Sequence, residues 1–261
     1  MAARGKEVLQ SVGSDCRQCL YVTGTSCKEH FAEEPVESTT KTIGHSLLFS
    51  LLLTPMKVLL INGSPHDSGN TFLALNEVAQ SLQKEGVETQ IVGIGKRAIQ
   101  GCIACGWCSR MGKCTFNDDL YYKIWRAVKD GIDGLVVGSP VYYGGPNGSL
   151  CALLDRVFYS LGQDLQYKPA ASVVVCRRGG ASAAFDRLNK YFTIMKMPVV
   201  SSQYWNMAYG MNQGEVTKDE EGMQTMRTLG QNMAWMIKRL NVSEEGHPTA
   251  ESPEWTNFIR G

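Results

Sequence analysis

From Met56 onward, short apolar runs rich in β-branched residues alternate with longer amphipathic stretches, and this pattern limits the chain to few folds. Strands of a parallel sheet that helices cover on both faces are continuously apolar, and three of the runs have this character. The pattern predicts five strands, at residues 58–62, 89–94, 134–138, 172–176 and 199–203. We therefore predict an α/β fold with a doubly wound, five-stranded parallel sheet in the order 2-1-3-4-5.

Residues 1–55 contain no sustained helical or strand periodicity, and they end immediately before the first predicted strand. We predict a disordered or non-native N-terminal extension over residues 1–55 and one domain over residues 56–261. The extension contains cysteines and a histidine at spacings that could hold zinc, but no finger pattern surrounds them. They are Cys16, Cys19, Cys27 and His30.

Composition argues against two classes of partner. The formal net charge is +1 and no run of Lys and Arg is present, which disfavours binding to nucleic acid or to a charged membrane surface. The longest strongly apolar run, residues 47–53, is far shorter than the roughly 20 residues that span a bilayer, and it lies too deep in the chain for a secretory signal. We expect a cytoplasmic protein with neither nucleic-acid nor membrane partners.

In a doubly wound sheet, ligands bind outside the carboxyl ends of the strands, so the loops after predicted strands one, three and four are the candidate ligand sites. The loop after strand one opens the first helix, whose free N–H groups favour an anion. It lacks the Walker A ending and the Rossmann glycine pattern. Its hydroxyls, amide and glycines suit a phosphate monoester, although a plain capping turn is the alternative. The candidate residues are Ser64, His66, Ser68, Gly69, Asn70 and Thr71.

The loop after strand three is too rich in Pro, Gly and aromatic residues to continue a strand or a helix. Its paired tyrosines could stack on a flat ring, or they could merely cover the end of the sheet. The candidates are Pro140, Val141, Tyr142, Tyr143 and Gly144. After strand four, Arg177 and Gly179 could meet the same ring or a nicotinamide phosphate, with solvated charge as the alternative.

The loop at about residues 100–118 contains four of the nine cysteines in the pattern C-x2-C-x2-C-x5-C. Three cysteines separated by two residues can surround three corners of a cubane, and a fourth after a Gly-containing loop can complete the ligation of a [4Fe-4S] cluster. Unmetallated redox thiols and a zinc site are the alternatives. The proposed ligands are Cys102, Cys105, Cys108 and Cys114.

These motifs carry a resemblance to a known family over about residues 56–240. The segment Gly-Ser-Pro-x3-Gly-Asn-Thr, from Gly63 to Thr71, resembles the FMN phosphate loop of the flavodoxin-like FMN reductase superfamily. The Pro-x-Tyr-x-Gly segment at residues 140–144 resembles the loop that holds the isoalloxazine ring there. The compact cysteine motif resembles that of the iron-sulfur flavoproteins in the same superfamily. The resemblance implies a flavodoxin-like fold, bound FMN and a [4Fe-4S] cluster.

The resulting prediction is an FMN-dependent electron-transfer oxidoreductase in which the cluster relays electrons to or from FMN. One alternative is an NAD(P)H-dependent FMN or quinone reductase without a cluster, and another is a non-enzymatic flavodoxin-type electron carrier. NAD(P)H is a candidate electron donor. We expect a small-molecule or protein electron donor and acceptor, a homo-oligomer, and no catalytic side chain beyond those that position the cofactors.

Overall fold

The computed structural model describes residues 55–116, 118–241, 246–249, 251–254 and 256. The predicted N-terminal extension and its zinc-type cysteines lie outside these residues, apart from Pro55. Among the helices of the described ranges, none has both the length and the apolar character needed to cross a bilayer.

Strands and helices alternate along the described chain. The strands are β1 (Lys57–Asn62), β2 (Glu88–Gly93), β3 (Gly134–Tyr142), β4 (Gly145–Pro146), β5 (Ala170–Cys176) and β6 (Met207–Tyr209). The helices are α1 (Asn70–Lys84), α2 (Trp107–Met111), α3 (Asp119–Lys129), α4 (Gly148–Leu165), α5 (Ala181–Ile194) and α6 (Glu220–Asn241). A short 3-10 helix, Glu215–Lys218, precedes α6.

The sheet confirms the predicted fold class. Its strands follow the order β2-β1-β3-β5-β6, and every neighbouring pair along this path is parallel. The two-residue β4 pairs antiparallel with the end of β3 and lies off this path. With β4 set aside, the five parallel strands have the predicted order 2-1-3-4-5. The carboxyl ends of β1, β3 and β5 therefore lie at one edge of the sheet.

The position of the fifth parallel strand was predicted wrongly. Val199 makes only an isolated bridge with Ala170, at the start of β5. The chain then leaves the sheet and returns as β6, which pairs with the last three residues of β5. Residues 199–203 have strand-like composition, but the pairing register of β5 places the strand at Met207–Tyr209.

Helices cover both faces of the sheet. Leu59 and Ile61 of β1 are fully buried in a core that includes residues of α3, α4 and α5. Val58 and Leu60 are fully buried on the opposite face, among residues of α1 and α6. Successive strand residues point to opposite faces, so both faces of β1 must be apolar. This explains the continuous apolar runs in the sequence.

Candidate functional site

A cleft of about 960 Å³ lies at the carboxyl ends of the strands. Its volume falls within the range of roughly 300–1,000 Å³ that is usual for cofactor sites. Five segments line it, namely residues 64–71, 95–97, 140–142, 175–177 and 210–213. The segments at residues 64–71, 95–97 and 210–213 follow β1, β2 and β6, whereas residues 140–142 end β3 and residues 175–177 span the end of β5. All five thus lie at the carboxyl ends of the strands, as expected of a ligand site in a doubly wound sheet.

The loop after β1 is fixed by hydrogen bonds before it enters the cleft. The Gly63 amide donates to the Gly138 carbonyl at 2.8 Å, and the Ser64 amide donates to Asn62 Oδ1 at 3.1 Å. The Ser64 hydroxyl accepts from the His66 amide at 3.1 Å. A Cβ at Gly63 would lie 2.6 Å from the Gly138 carbonyl oxygen, so only glycine permits this close approach. The loop is therefore held in shape by the chain itself.

The first turn of α1 is suited to an anion. Its N-cap, Gly69, makes no side-chain capping hydrogen bond, and the first N–H groups of a helix have no partner within the helix. Ser64 and Thr71 are nearly buried and line the cleft beside this turn. Three basic side chains, Lys96, Arg97 and Arg177, line the same cleft together with Asp67. Helix dipole, hydroxyls and positive charge all favour a phosphate dianion.

The end of β3 forms another wall of the cleft, which Pro140, Val141 and Tyr142 line. The prediction that the chain leaves the strand at Pro140 was wrong, and the loop begins only after Tyr142. The strand continues because Pro140 pairs with β5 and because Val141 and Tyr142 pair with β4. Asn147 connects the end of β3 to the loop after β1. Its side-chain Nδ2 donates to the Gly63 carbonyl at 2.8 Å, and its backbone amide donates to Ser139 Oγ at 2.9 Å. The two predicted cofactor loops are therefore one connected unit.

Three predicted site residues do not line the cleft. Tyr143 has a positive φ of 49° and its side chain is fully exposed. Gly144, with φ of 76°, packs against Gly180 instead. Gly179 is exposed and faces open space, whereas Arg177 from the same loop does line the cleft. Of the predicted residues in the cofactor loops, the structure thus gathers Ser64, His66, Ser68, Gly69, Asn70, Thr71, Pro140, Val141, Tyr142 and Arg177 around one cleft.

Sequence reasoning missed two walls of the cleft, the segments at residues 95–97 and 210–213. Both follow strands of the same sheet, so the topology itself could have indicated them. The second was missed because the fifth strand was placed too early. The segment at residues 210–213 also forms hydrogen bonds with two residues that were predicted to bind the phosphate. Gln213 Nε2 donates to Ser68 Oγ at 3.0 Å, and Asn70 Nδ2 donates to the Asn212 carbonyl at 2.8 Å.

A second cavity, of about 310 Å³, is lined by the four predicted ligand cysteines. Cys102 and Cys105 are exposed, and Cys108 and Cys114 are half-buried. The cysteine segment includes left-handed residues at Ala104 and at the glycines that flank α2, Gly106 and Gly112. These backbone turns bend the segment around the cavity. It is joined to the first cleft by the stretch from Arg97 to Cys102.

The side chain of Arg156 on α4 anchors the cysteine segment. Its Nε donates to Cys114 Sγ at 3.4 Å, and its Nη2 donates to an Asp118 carboxylate oxygen. Burial alone would lower the pKa of Arg156, but the bonds to Cys114 and Asp118 raise it above its ordinary value. For Asp118 the effect of burial is opposite in sign and would raise the pKa, but hydrogen bonds from the Tyr121 amide and Arg156 hold this pKa below its ordinary value. The pair is therefore ionised.

The other two described cysteines differ from these four. Cys151 on α4 lies outside both cavities, and Cys176 ends β5 in the wall of the cleft. Burial raises the pKa of both thiols. Both side chains are thus neutral at physiological pH, as expected of small packing residues.

The donor set around the second cavity suits an iron-sulfur cluster, because such clusters are held by four cysteine thiolates. Within the described residues, no group of three or more His, Cys, Asp or Glu side chains is arranged to hold a metal ion directly. The four thiols thus share a cavity without converging on a single point.

Comparison with known proteins agrees with this geometry. Residues 56–212 match the model of the NADPH-dependent FMN reductase family. The chain is 34% identical over 191 residues to the iron-sulfur flavoprotein MJ1083 of Methanocaldococcus jannaschii, covering 70% of this chain and 98% of that protein. It is 30% identical over 195 residues to an iron-sulfur flavoprotein of Archaeoglobus fulgidus, with 68% and 94% covered.

Solved structures support the fold. The flavodoxin, WrbA-like protein from Agrobacterium tumefaciens superposes with a TM-score of 0.51 at 17% identity, covering 71% of this chain and 99% of that one. At this identity the likeness concerns the fold alone. From the family match, the relatives and the cleft, we conclude that the chain belongs to the NADPH-dependent FMN reductase family and, within it, to the iron-sulfur flavoproteins, and that it is an FMN-dependent oxidoreductase.

Proposed function

We propose that this chain is an electron-transfer oxidoreductase that binds FMN in the first cleft and a [4Fe-4S] cluster at Cys102, Cys105, Cys108 and Cys114. The observation that carries the proposal is the single cavity lined by these four cysteines, reached along one short chain segment from the flavin cleft. The relatives named iron-sulfur flavoproteins support it. When bound, the two cofactors supply two-electron and one-electron chemistry respectively.

The residues of the cleft have distinct roles in this proposal. Ser64, Thr71 and the first-turn amides of α1 bind the FMN phosphate. Gly69 has no side chain to cap those amides. The backbone amide of His66 donates a hydrogen bond to Ser64 Oγ and so stabilises the loop. Ser68 and Asn70 act indirectly, because their side chains hold the segment at residues 210–213 against the start of α1.

The ring end of the flavin is assigned to the other loops. Pro140, Val141 and Tyr142 shape the wall on which the isoalloxazine ring lies, with Tyr143 and Gly144 forming the turn behind it. Gly180 packs directly on that turn, and its neighbour Gly179 continues the loop after β5. Arg177 reaches the cleft and is positioned to meet the ring or the phosphate of a nicotinamide donor.

A second candidate function keeps the flavin and lacks the cluster, namely an NAD(P)H-dependent FMN or quinone reductase. The basic side chains Lys96, Arg97 and Arg177 in the cleft favour a phosphorylated donor such as NADPH in either case. Measured iron separates the two functions. The electron acceptor is a small molecule or a protein, and a homo-oligomer is expected, which light scattering of the purified holoprotein would establish.

The proposal is tested by comparing two cysteine substitutions in anaerobically purified protein. Cys105→Ser removes a thiol that lines the second cavity, and we expect it to lose iron and acid-labile sulfide while retaining FMN. Cys151→Ser, on α4 and outside both cavities, is the matched control and should retain both cofactors. Reduction of FMN by a chemical reductant should survive in Cys105→Ser, whereas electron transfer to a one-electron protein acceptor should fall. Equal iron in both variants would contradict the ligand assignment.

A further inference from the structure

Arg156 is a charged residue buried in the core of the protein. It lies on α4, its side chain has no exposed surface, and its guanidinium stands 5.1 Å from the ring centre of the buried Tyr121. Burial of a charge is unfavourable unless hydrogen bonds and an opposite charge compensate it. Contacts of Arg156 must therefore offset the free energy of desolvating its charge.

Those contacts are made with the cysteine segment. Nη1 donates to the Gln100 carbonyl at 3.3 Å, just before Cys102, and Nη2 donates to the Phe116 carbonyl, just after Cys114. Nε donates to Cys114 Sγ at 3.4 Å. One planar guanidinium thus holds both ends of the segment and contacts the sulfur of a proposed ligand. Lysine could not reproduce this fork, because an ammonium lacks its planar donor geometry.

The charge of Arg156 is only partly neutralised. Its partner carboxylate, Asp118, is about half-exposed, with 47% of its side chain accessible, so solvent screens that charge. The guanidinium itself is screened much less, because it has no contact with solvent. The guanidinium, whose charge Asp118 offsets only in part, lines the second cavity.

We propose that Arg156 is a positioning residue that closes the cysteine segment around the cluster and raises the cluster's reduction potential through its buried positive charge. The inference rests on the proposed function, because it requires a cluster in the second cavity. One-electron reduction adds one negative charge to the cluster. A fixed positive charge beside a ligand sulfur favours that reduced state, and hydrogen bonds to the sulfurs are known to set such potentials.

The sign of the change in the cluster's reduction potential on different substitutions distinguishes this role of Arg156 from a purely structural one. Arg156→Met removes the charge, whereas Arg156→Lys keeps the charge and loses the planar set of hydrogen-bond donors. Asp118→Asn removes the compensating carboxylate and keeps the helix cap, because Asn caps helices as well as Asp does and Asp118 Oδ1 accepts from the Tyr121 amide. The second side-chain oxygen, which accepts from Arg156, is replaced by an NH2 group that does not accept, so the guanidinium loses both the charge and the hydrogen bond of its partner. Arg227→Met, which breaks an ion pair between α6 and Glu77 of α1, is the matched control.

The measurement is a potentiometric titration of the cluster in anaerobically purified holoprotein, followed by its visible and paramagnetic resonance spectra. Arg156→Met should lower the equilibrium constant for reduction at least tenfold, or about 59 mV for one electron. Arg156→Lys should change this equilibrium constant by less than threefold, but the variant should retain less iron. Asp118→Asn should raise the potential, by less than Arg156→Met lowers it, and Arg227→Met should leave it unchanged.

Other outcomes would overturn the inference. The charge of Arg156 does not set the potential if Asp118→Asn lowers the potential or leaves it unchanged. The same conclusion follows if Arg156→Lys lowers the equilibrium constant for reduction tenfold. These two variants decide the question even if Arg156→Met fails to retain a cluster. Wild-type protein that contains FMN without iron would overturn the proposed function itself, whereas wild-type protein with a cluster and unshifted variants would overturn the role of Arg156 alone.

Discussion

The side chain of Asn70, at the start of α1, is hydrogen-bonded to the backbone of Asn212, in the loop after β6, with 2.8 Å between Asn70 Nδ2 and the Asn212 carbonyl oxygen. Its Oδ1 also accepts from the Gly214 amide at 2.9 Å. The same loop is held from its other side by Glu215, whose carboxylate accepts from the Met211 and Asn212 amides at 2.9 and 2.8 Å. One wall of the cleft is therefore fixed by two polar side chains.

Glu215→Gln should lower the melting temperature of the protein and weaken FMN binding at pH 7. Hydrogen bonds from the Asn212 side chain and from the Asn212 and Met211 amides lower the pKa of Glu215 to about 2, from an ordinary value of 4.5. Because the pKa is lowered in the folded protein, the stabilisation is fully present above about pH 4.5 and is lost as the pH falls through about 2. Thermal unfolding at pH 7, 5 and 2.5 measures this difference.

The difference in melting temperature between the wild type and Glu215→Gln should be similar at pH 7 and 5 and should shrink towards pH 2. The exposed Glu88→Gln, on the edge strand β2, is the control and should show no such dependence. A difference that persists unchanged at the lowest pH would mean that the charge of Glu215 does not hold the loop.

Gly180→Ala should destabilise the protein and weaken FMN binding, whereas Gly179→Ala should do neither. Gly180 has φ of 87°, and a Cβ there would lie 2.8 Å from Gly144 Cα and 3.0 Å from Val141 Cγ1. The left-handed conformation alone costs about 1–2 kcal/mol for a residue with a Cβ. Gly179 meets no atom within 4 Å and has no such φ. Denaturant unfolding and FMN titration of both variants test this, and equal effects would show that Gly180 is not the contact point.

Ser64→Ala and Thr71→Ala should each weaken FMN binding while riboflavin binding barely changes. Both hydroxyls line the cleft beside the start of α1, and a hydrogen bond to a charged group contributes about 1.5–3 kcal/mol. The expected loss in affinity is roughly 10- to 150-fold for each. Thr193→Ala, on the exposed face of α5, is the control. If FMN and riboflavin lost affinity equally, the loop would not bind the phosphate.

Local patterns were sufficient to predict most of the fold. The apolar runs of β1, β3 and β5 predicted buried parallel strands because both faces of each strand are covered, and the loops after them followed from the topology. The last strand could not be placed locally. The segment Met207–Tyr209 is too short to show a pattern, and its pairing with β5 depends on a contact distant in sequence.

The site was predictable where it depends on short motifs and not where it depends on folding back. The four cysteines share a cavity, as their spacing suggested. The sequence around Arg156 does not indicate that this residue is buried, because a lone arginine on a helix is typical of a solvated surface. It becomes buried only when the cysteine segment, 38 to 56 residues earlier in the chain, covers it. Lys96 and Arg97 were missed because the loop after β2 was not considered.

We propose that one chain binds both FMN and a [4Fe-4S] cluster. Anaerobic purification with ample iron, followed by assay of FMN, iron and acid-labile sulfide in the same sample, tests it most directly. We expect one FMN with about four iron and four sulfide per chain, as a [4Fe-4S] cluster requires. FMN without iron or sulfide, or stoichiometric zinc in their place, would contradict it.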